Sequence, residues 1–225
     1  MKYLLDTINK QEILECIRTM PISGVTSNPT IIKRHGKVDF FPYFSELSAL
    51  LGARRTLHIQ VTSPDAEGML REAEAVTEKV GPGTYIKVPV NEAGLEAISC
   101  MKKAGLKVTA TGIYTKTQAF MALEAGADFL AMYWNRMESL DIDAFGTFAA
   151  AAQMIDRYGY SAEILGASFK NITQVNSAFE AGAQAVTVTP QILKDALRIP
   201  VIDQCVKTFA ADWESVYGNK SIADL

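Results

Sequence analysis

One lysine sits in a run of residues that would ordinarily exclude it. Thr84-Tyr85-Ile86-Lys87-Val88-Pro89-Val90 follows the breaker Gly81-Pro82-Gly83 and is rich in β-branched residues, the pattern of a short strand. A strand this apolar is ordinarily buried on both faces, as in a parallel sheet. Period-two alternation puts Tyr85 and Lys87 on one face and Ile86 and Val88 on the other. Such a lysine has two possible fates. It can snorkel to solvent from a strand end. Alternatively it loses its hydration, and burial then disfavours the ammonium form, lowers the pKa and leaves a neutral amine able to attack a carbonyl.

Other polar residues fall at comparable places. The predicted strand ends carry Asp6, Thr26, Gln60, Thr111, Tyr133, Ser168 and Thr187. Serine and threonine also serve as helix caps and as partners for loop backbone. Asp6 and Lys87 are harder to place in that way, because a buried charge needs a partner. Ala131, two residues before Tyr133, and Gly166, two before Ser168, are small enough to leave space beside the polar tips.

The elements that would position these residues follow in regular order. Tyr3 to Asp6 opens as a strand, and Asn9 with Glu12 three residues on reads as a capping-box start for a helix with an Ile13, Leu14, Ile17 stripe. Ser23 to Thr26 is the second strand, and Pro29 turns the chain into a helix from about Thr30. Asp39 to Leu51 reads as a helix, irregular around Pro42. Thr56 to Val61 is the third strand, with Ser63 as cap and Pro64 as first residue of a helix running to about Lys79. The lysine strand is the fourth, and a helix from about Glu92 to Lys103 follows it. Strands are expected again at 106–111, 128–133, 163–168 and 185–188, each followed by a helix.

Strands alternating with helices in so short a chain predict a single-domain (β/α)8 TIM barrel over 1–225. Leu123-Glu124-Ala125-Gly126-Ala127-Asp128-Phe129 and Phe179-Glu180-Ala181-Gly182-Ala183-Gln184-Ala185 form a quasi-repeat of helix end, glycine and strand. An open doubly wound sheet is the other arrangement considered, but no Gly-rich phosphate turn follows the first strand. Residues 198–225 lie beyond what a barrel needs and read as a C-terminal helical arm. Ile202, Val206, Phe209, Trp213 and Val216 form one apolar stripe along it, with Asp203, Lys207 and Asp212 off the stripe.

Composition narrows the function. The chain has 225 residues, 48% hydrophobic, with 22 basic and 25 acidic side chains and a net charge of −3. No basic block points to nucleic acid or to an anionic membrane. Asp6 interrupts any signal-peptide core, and no apolar run approaches the roughly 18 residues of a membrane span. Cys16, Cys100 and Cys205, odd in number and scattered, read as reduced thiols of a cytoplasmic protein. His35 and His58 are the only histidines and have no metal-ligand spacing, so no metal is expected.

Leu5-Asp6-Thr7, Gly24-Val25-Thr26-Ser27-Asn28-Pro29, Ile86-Lys87-Val88-Pro89 and Ala167-Ser168-Phe169-Lys170 resemble, in order, the signature segments of the transaldolase family. The length resembles its small subfamily, which includes the fructose-6-phosphate aldolases. That resemblance implies a class I enzyme in which Lys87 forms an imine with a ketose and retains a dihydroxyacetone unit as the enamine. It further implies Asp6 as acid/base, with Gln60, Thr111 and Tyr133 holding the water that relays protons. By the same resemblance Thr26 and Asn28 bind donor hydroxyls, and Arg136, Ser168 and Lys170 bind phosphate. Gln60 and Tyr133 look like the aldolase pattern, whereas transaldolases proper tend to carry Glu and Phe there. Met137-Glu138-Ser139-Leu140 departs from the usual transaldolase sequence. The implied partners are sugar phosphates, dihydroxyacetone and glyceraldehyde 3-phosphate, with no cofactor. The implied assembly is a decamer of paired pentamers, with the C-terminal helix reaching a neighbouring subunit. Transaldolase of the pentose phosphate pathway is the alternative activity, and a non-catalytic sugar-phosphate-binding barrel is a third.

Overall fold

The computed structural model describes residues 1–225. Eight parallel strands close into a barrel in sequence order: β1 (Lys2–Leu5), β2 (Ile22–Thr26), β3 (Thr56–Gln60), β4 (Tyr85–Pro89), β5 (Lys107–Ile113), β6 (Phe129–Tyr133), β7 (Glu163–Ala167) and β8 (Ala185–Val188). The first helices are α1 (Lys10–Thr19), α2 (Pro29–His35), α3 (Phe40–Leu51), α4 (Ala66–Lys79) and α5 (Glu92–Lys103). After them come α6 (Lys116–Glu124), α7 (Trp134–Ser139), α8 (Ala144–Tyr158), α9 (Ile172–Glu180), α10 (Pro190–Leu197) and α11 (Pro200–Tyr217). The fold is the (β/α)8 barrel that the strand–helix alternation predicts. β1 pairs with both β2 and β8, so the sheet has no free edge.

The chain forms two compact units, Met1–Pro190 and Gln191–Leu225. The first contains all eight strands. Leu4, Phe129, Ala131, Leu165 and Ala185 form a core cluster, with Tyr85 and Tyr133 packed against it. In the second unit, α11 buries no residue. Its predicted stripe leaves Ile202, Val206, Phe209 and Val216 exposed. Trp213 packs its ring 4.5 Å from Tyr217 and donates its indole N–H to the Lys220 carbonyl at 2.7 Å.

Local signals act with some reassignment. Gly105, Gly126 and Gly182 take φ of 76°, 89° and 101°, the left-handed geometry that ends α5, α6 and α9 ahead of β5, β6 and β8. Asn9 caps α1 as expected, but Glu12 turns its carboxylate to the Thr7 hydroxyl at 3.1 Å, so the reciprocal capping box is not made. The buried face of α1 is Ile13 with Cys16, and Leu14 is exposed. Asp65, not Ser63, caps α4, because Thr62 and Ser63 give their hydroxyls and N–H groups to Glu72. Burial raises the Glu72 pKa, but those four hydrogen bonds outweigh it and leave the carboxyl below its ordinary value. Pro42 causes no break; it sits in the first turn of α3, where its missing N–H costs nothing. Gly166 leaves no cavity. A Cβ there would stand 2.7 Å from the Phe169 ring and 3.3 Å from Phe148, so aromatic rings already fill that side of β7.

Gly94 has a more direct bearing on the lysine strand. Asn91 caps α5 through its side chain, and a Cβ on Gly94 would stand 1.8 Å from the carbonyl oxygen of Pro89, the last residue of β4. Only a glycine lets α5 lie this close to the strand that carries Lys87.

Candidate active site

Lys87 is 3% exposed and does not snorkel. It stands at the middle of β4, in register with Gln60 on β3 and Thr109 on β5. Its ammonium donates to the Ser27 carbonyl at 3.1 Å. Burial pushes the amine below its ordinary pKa, and the charge of Asp6 opposes that shift. Beneath it lies His58, fully buried and held between two hydroxyls, Thr109 at 2.8 Å from Nδ1 and Thr56 at 2.9 Å from Nε2. Tyr85 stacks on the imidazole at 4.7 Å and Phe129 meets it edge-on at 5.2 Å. Burial first, and the Lys87 charge second, hold the imidazole well below its ordinary pKa, so the floor of the site is neutral.

Asp6 follows β1, and its position is fixed from two sides. Its backbone N–H donates to Val188 at 2.8 Å, and Oδ1 accepts from the Thr26 hydroxyl at 2.6 Å. Thr26 Oγ1 also lies 2.6 Å from Thr187 Oγ1. With its own proton given to the carboxylate, Thr26 accepts from Thr187, and the relay runs Thr187 to Thr26 to Asp6. Thr26 is fully buried and lines no part of the cavity. Its hydroxyl is occupied in orienting Asp6. Thr187 has a part in that relay although the strand-end pattern alone gave it none.

Tyr133 ends β6 with its phenol 3.1 Å from the Thr111 hydroxyl and its ring 5.5 Å from Tyr114. Burial raises the phenol pKa, and the Thr111 hydrogen bond partly offsets it. Thr111, 1% exposed, stands behind the Tyr133 phenol. Gln60 lines the cavity, and its Oε1 is buried with no hydrogen-bond partner. A buried carbonyl oxygen without a donor is costly. A water or substrate hydroxyl would relieve it.

These groups converge on one cavity of about 430 Å³ at the C-terminal ends of the strands, where barrels of this kind carry their chemistry. Asp6, Gln60, Lys87 and Tyr133 line it, together with Asn28, Arg136, Ser168 and Lys170. Asn28 caps α2 by accepting from the Ile31 N–H at 3.0 Å, which leaves its amide NH₂ for a ligand. Ser168 has φ of 63°, uncommon for a side chain with a Cβ, and turns the chain out of β7 toward the cavity.

The rim beside Ser168 is tied by residues that sequence reasoning missed. Gln174 on α9 donates to Asn135 at 3.2 Å and to Glu138, and accepts from the Lys170 backbone at 2.8 Å. Glu138 accepts from the Trp134 indole at 2.7 Å. Helix α7, which bears Arg136, and the segment bearing Lys170 are thereby held to each other, and Glu138 in the divergent Met137–Leu140 stretch gains a task. No cluster of three or more His, Cys, Asp or Glu side chains is placed to hold a metal. No helix is long and apolar enough to cross a membrane.

Comparison with known proteins gives the lineage. The family described as Transaldolase/Fructose-6-phosphate aldolase matches residues 3–220. A Streptococcus pneumoniae (strain ATCC 700669 / Spain 23F-1) protein named "Probable fructose-6-phosphate aldolase" is 45% identical over 222 residues, covering 99% of this chain and 100% of that protein. The chain belongs to the transaldolase/fructose-6-phosphate aldolase family.

Proposed function

We propose that this member of the transaldolase/fructose-6-phosphate aldolase family is a class I aldolase that cleaves or forms fructose 6-phosphate, or a related ketose, through an imine on Lys87. The observation that carries the reading is an amine 3% exposed, with burial lowering its pKa, in the wall of a polar cavity that also holds a carboxylate and a phenol. Neutral Lys87 adds to carbon 2 of the ketose, and loss of water gives an iminium. As the C4 hydroxyl loses its proton, the C3–C4 bond breaks and its electron pair flows to the iminium, leaving an enamine and releasing the aldehyde. Protonation at C3 and hydrolysis then return the free amine and dihydroxyacetone.

Asp6 is the group we assign to those proton transfers. The relay through Thr26 holds it beside Lys87, where its charge also favours the iminium. Gln60 and Tyr133, the latter backed by Thr111, are assigned to the water that carries protons between Asp6 and the enamine. Asn28 takes a donor hydroxyl. Arg136, Ser168 and Lys170 take the phosphate of glyceraldehyde 3-phosphate or of the sugar phosphate, arginine through its planar fork and lysine as a point charge. No cofactor enters the scheme.

Borohydride reduction in the presence of dihydroxyacetone, followed by peptide mass mapping, tests the imine; a modified peptide other than that of Lys87, or none, refutes it. A steady-state assay without acceptor then separates the two activities of the family. Free dihydroxyacetone released from fructose 6-phosphate supports the aldolase. Strict dependence on an acceptor aldehyde identifies a transaldolase, which would place the chain in the pentose phosphate pathway. We further propose one catalytic barrel with a C-terminal arm at 198–225, assembled as a homodecamer in the cytoplasm. The exposed Phe209 on α11 supports the assembly, as an aromatic anchor suits an interface, and Cys16, Cys100 and Cys205, none of them in a disulfide, support the compartment. Sedimentation of the intact chain as a monomer refutes the decamer.

A further inference from the structure

Arg136, Ser168 and Lys170 line the cavity from two separate pieces of chain, one after β6 and one after β7, so a phosphate that meets all three needs a fixed spacing between the two. Gln174 ties those pieces together by more than a helix cap requires. A simpler account is that it closes the first turn of α9, as Gln118 does in α6. Each sits three residues past the cap residue, and each accepts on Oε1 a backbone N–H from just ahead of its helix. That account covers the acceptor alone. The Gln118 amide NH₂ makes one long bond, to the Val90 carbonyl at 3.4 Å, whereas that of Gln174 crosses to α7, to Asn135 Oδ1 at 3.2 Å and to Glu138. The far side of the contact is itself fixed. Glu138 accepts on its other oxygen the indole N–H of Trp134, a buried ring packed 5.0 Å from Phe148. The Asn135 backbone N–H donates to the Ser168 carbonyl at 3.3 Å.

We infer that Gln174 and Glu138 are a positioning pair that sets the preference for phosphorylated over unphosphorylated aldehydes, by holding Arg136, Ser168 and Lys170 at the spacing of a single phosphate. The inference rests on the phosphate assignment above. Neither Gln174 nor Glu138 lines the cavity, so neither touches the substrate. No ion pair restrains Arg136 or Lys170 either: the ion pairs are Lys2–Glu163, Lys10–Glu46, Arg71–Glu67 and Lys102–Asp128. Where the two cations stand therefore depends on the backbone that carries them, and the Gln174–Glu138 contact joins that backbone across the gap between α7 and α9. The fork of a guanidinium is directional, so a small displacement of one piece against the other weakens its grip on phosphate. An unphosphorylated aldehyde makes no such contact and is indifferent to the spacing.

Exchanging the two side chains provides the test. In the double variant Glu138→Gln/Gln174→Glu, the amide at 138 accepts from the Trp134 indole and donates to the carboxylate at 174. That carboxylate also accepts from the Lys170 N–H, and from Asn135 once its amide turns over. Gln174→Glu alone sets two carboxylates against each other, and Gln174→Met makes none of the contacts. On the intact protein, kcat and KM are measured with dihydroxyacetone as donor and glyceraldehyde 3-phosphate or glyceraldehyde as acceptor. Both single variants at 174 should lower the kcat/KM ratio of the phosphorylated to the free aldehyde by about threefold to tenfold, through KM, and leave glyceraldehyde turnover as in wild type. The exchanged double variant should return the ratio to within about twofold of wild type. Equal falls with both aldehydes would show a merely structural role and overturn the inference, as would a double variant no better than Gln174→Glu alone. Arg136→Ala separates this inference from the reading beneath it. If it lowers the ratio while Gln174→Met does not, only the positioning pair is overturned. If it leaves the ratio unchanged, the phosphate assignment falls and the inference with it.

Discussion

Replacing Lys87 by methionine should abolish turnover and, at the same time, make the barrel more stable. The ammonium has three N–H donors, of which the contact to the Ser27 carbonyl at 3.1 Å satisfies one. Each buried donor left without a partner costs about 1–3 kcal/mol. Methionine keeps most of the apolar stem and carries no donor. Against that gain stands the loss of the positive charge near Asp6, a group that is only half-buried and keeps its Thr26 hydrogen bond. That loss is worth about 1 kcal/mol, in the range of partly exposed pairs. Two such donors, less that loss and about 1 kcal/mol for the Ser27 carbonyl left without its donor, leave a net gain of about 0–4 kcal/mol at neutral pH, a rise in Tm of up to roughly 15 °C for a chain of this size.

The same gain carries a pH signature. Burial sets the folded-state pKa of Lys87 below its ordinary 10.5. Between those two values the unfolded chain binds more protons than the folded protein, so wild-type stability rises with pH across that window. Below the folded-state pKa the penalty is present in full, and above 10.5 the amine is neutral in both states and the penalty is gone. The advantage of Lys87→Met should therefore be flat at low pH and shrink as the pH climbs toward 10.5. Thermal unfolding of both proteins at equal concentration, followed by circular dichroism from about pH 6 to about pH 10, reads it directly. A variant that melts below wild type at neutral pH would refute the reasoning, as would a difference that does not change with pH. Residual turnover above about a thousandth of wild type would remove Lys87 from the nucleophile's role.

Tyr133→Phe removes the phenol bonded to Thr111, and the ratio of transfer to hydrolytic release should rise; an equal fall in both reactions, measured with and without acceptor, would show that Tyr133 does not choose the outcome. For Arg136→Ala, kcat/KM for phosphorylated aldehydes should fall by about tenfold or more against unphosphorylated ones, and equal loss on both would take Arg136 out of the phosphate site. Gly94→Ala adds a Cβ 1.8 Å from the Pro89 carbonyl oxygen. The clash should cost about 1–3 kcal/mol and lower turnover by displacing β4; a Tm and kcat equal to wild type would mean that α5 shifts freely.

The fold was legible in the sequence because each unit of it is local. Thr84 to Val90 reads as a buried strand from its β-branched content, and Gly126 and Gly182 mark helix ends through a backbone geometry that few other residues take. The caps were less legible, since several acceptors compete for the same few N–H groups. Ser63 has the right chemistry to cap α4, but Glu72, two turns along the helix, draws its hydroxyl away, and that competition exists only once α4 has folded back beside it. The side chains around Lys87 divide in the same manner. Which strand ends carry polar atoms follows from period and position, so Asp6, Gln60, Lys87 and Tyr133 could be named together.

What each hydroxyl does there depends on which strands become neighbours, and closure of the barrel decides that. Thr26 and Thr187 are 161 positions apart in the chain, and they meet at 2.6 Å only because β8 returns to β1. The closure makes Thr26 the residue that aims the carboxylate. Gln174 is no more visible in sequence, a polar residue in the first turn of a helix, yet it joins α7 to the segment of Lys170, the two pieces of chain that carry Arg136 and Lys170 to the cavity. Arg34 is in sequence one of three basic residues ending a short helix, and its distinction from Lys33 is the single helical step that brings it to the cavity lining while Lys33 lies along a neighbouring apolar groove. A residue type tells what a side chain can do; the partners that closure supplies determine which of those things it does.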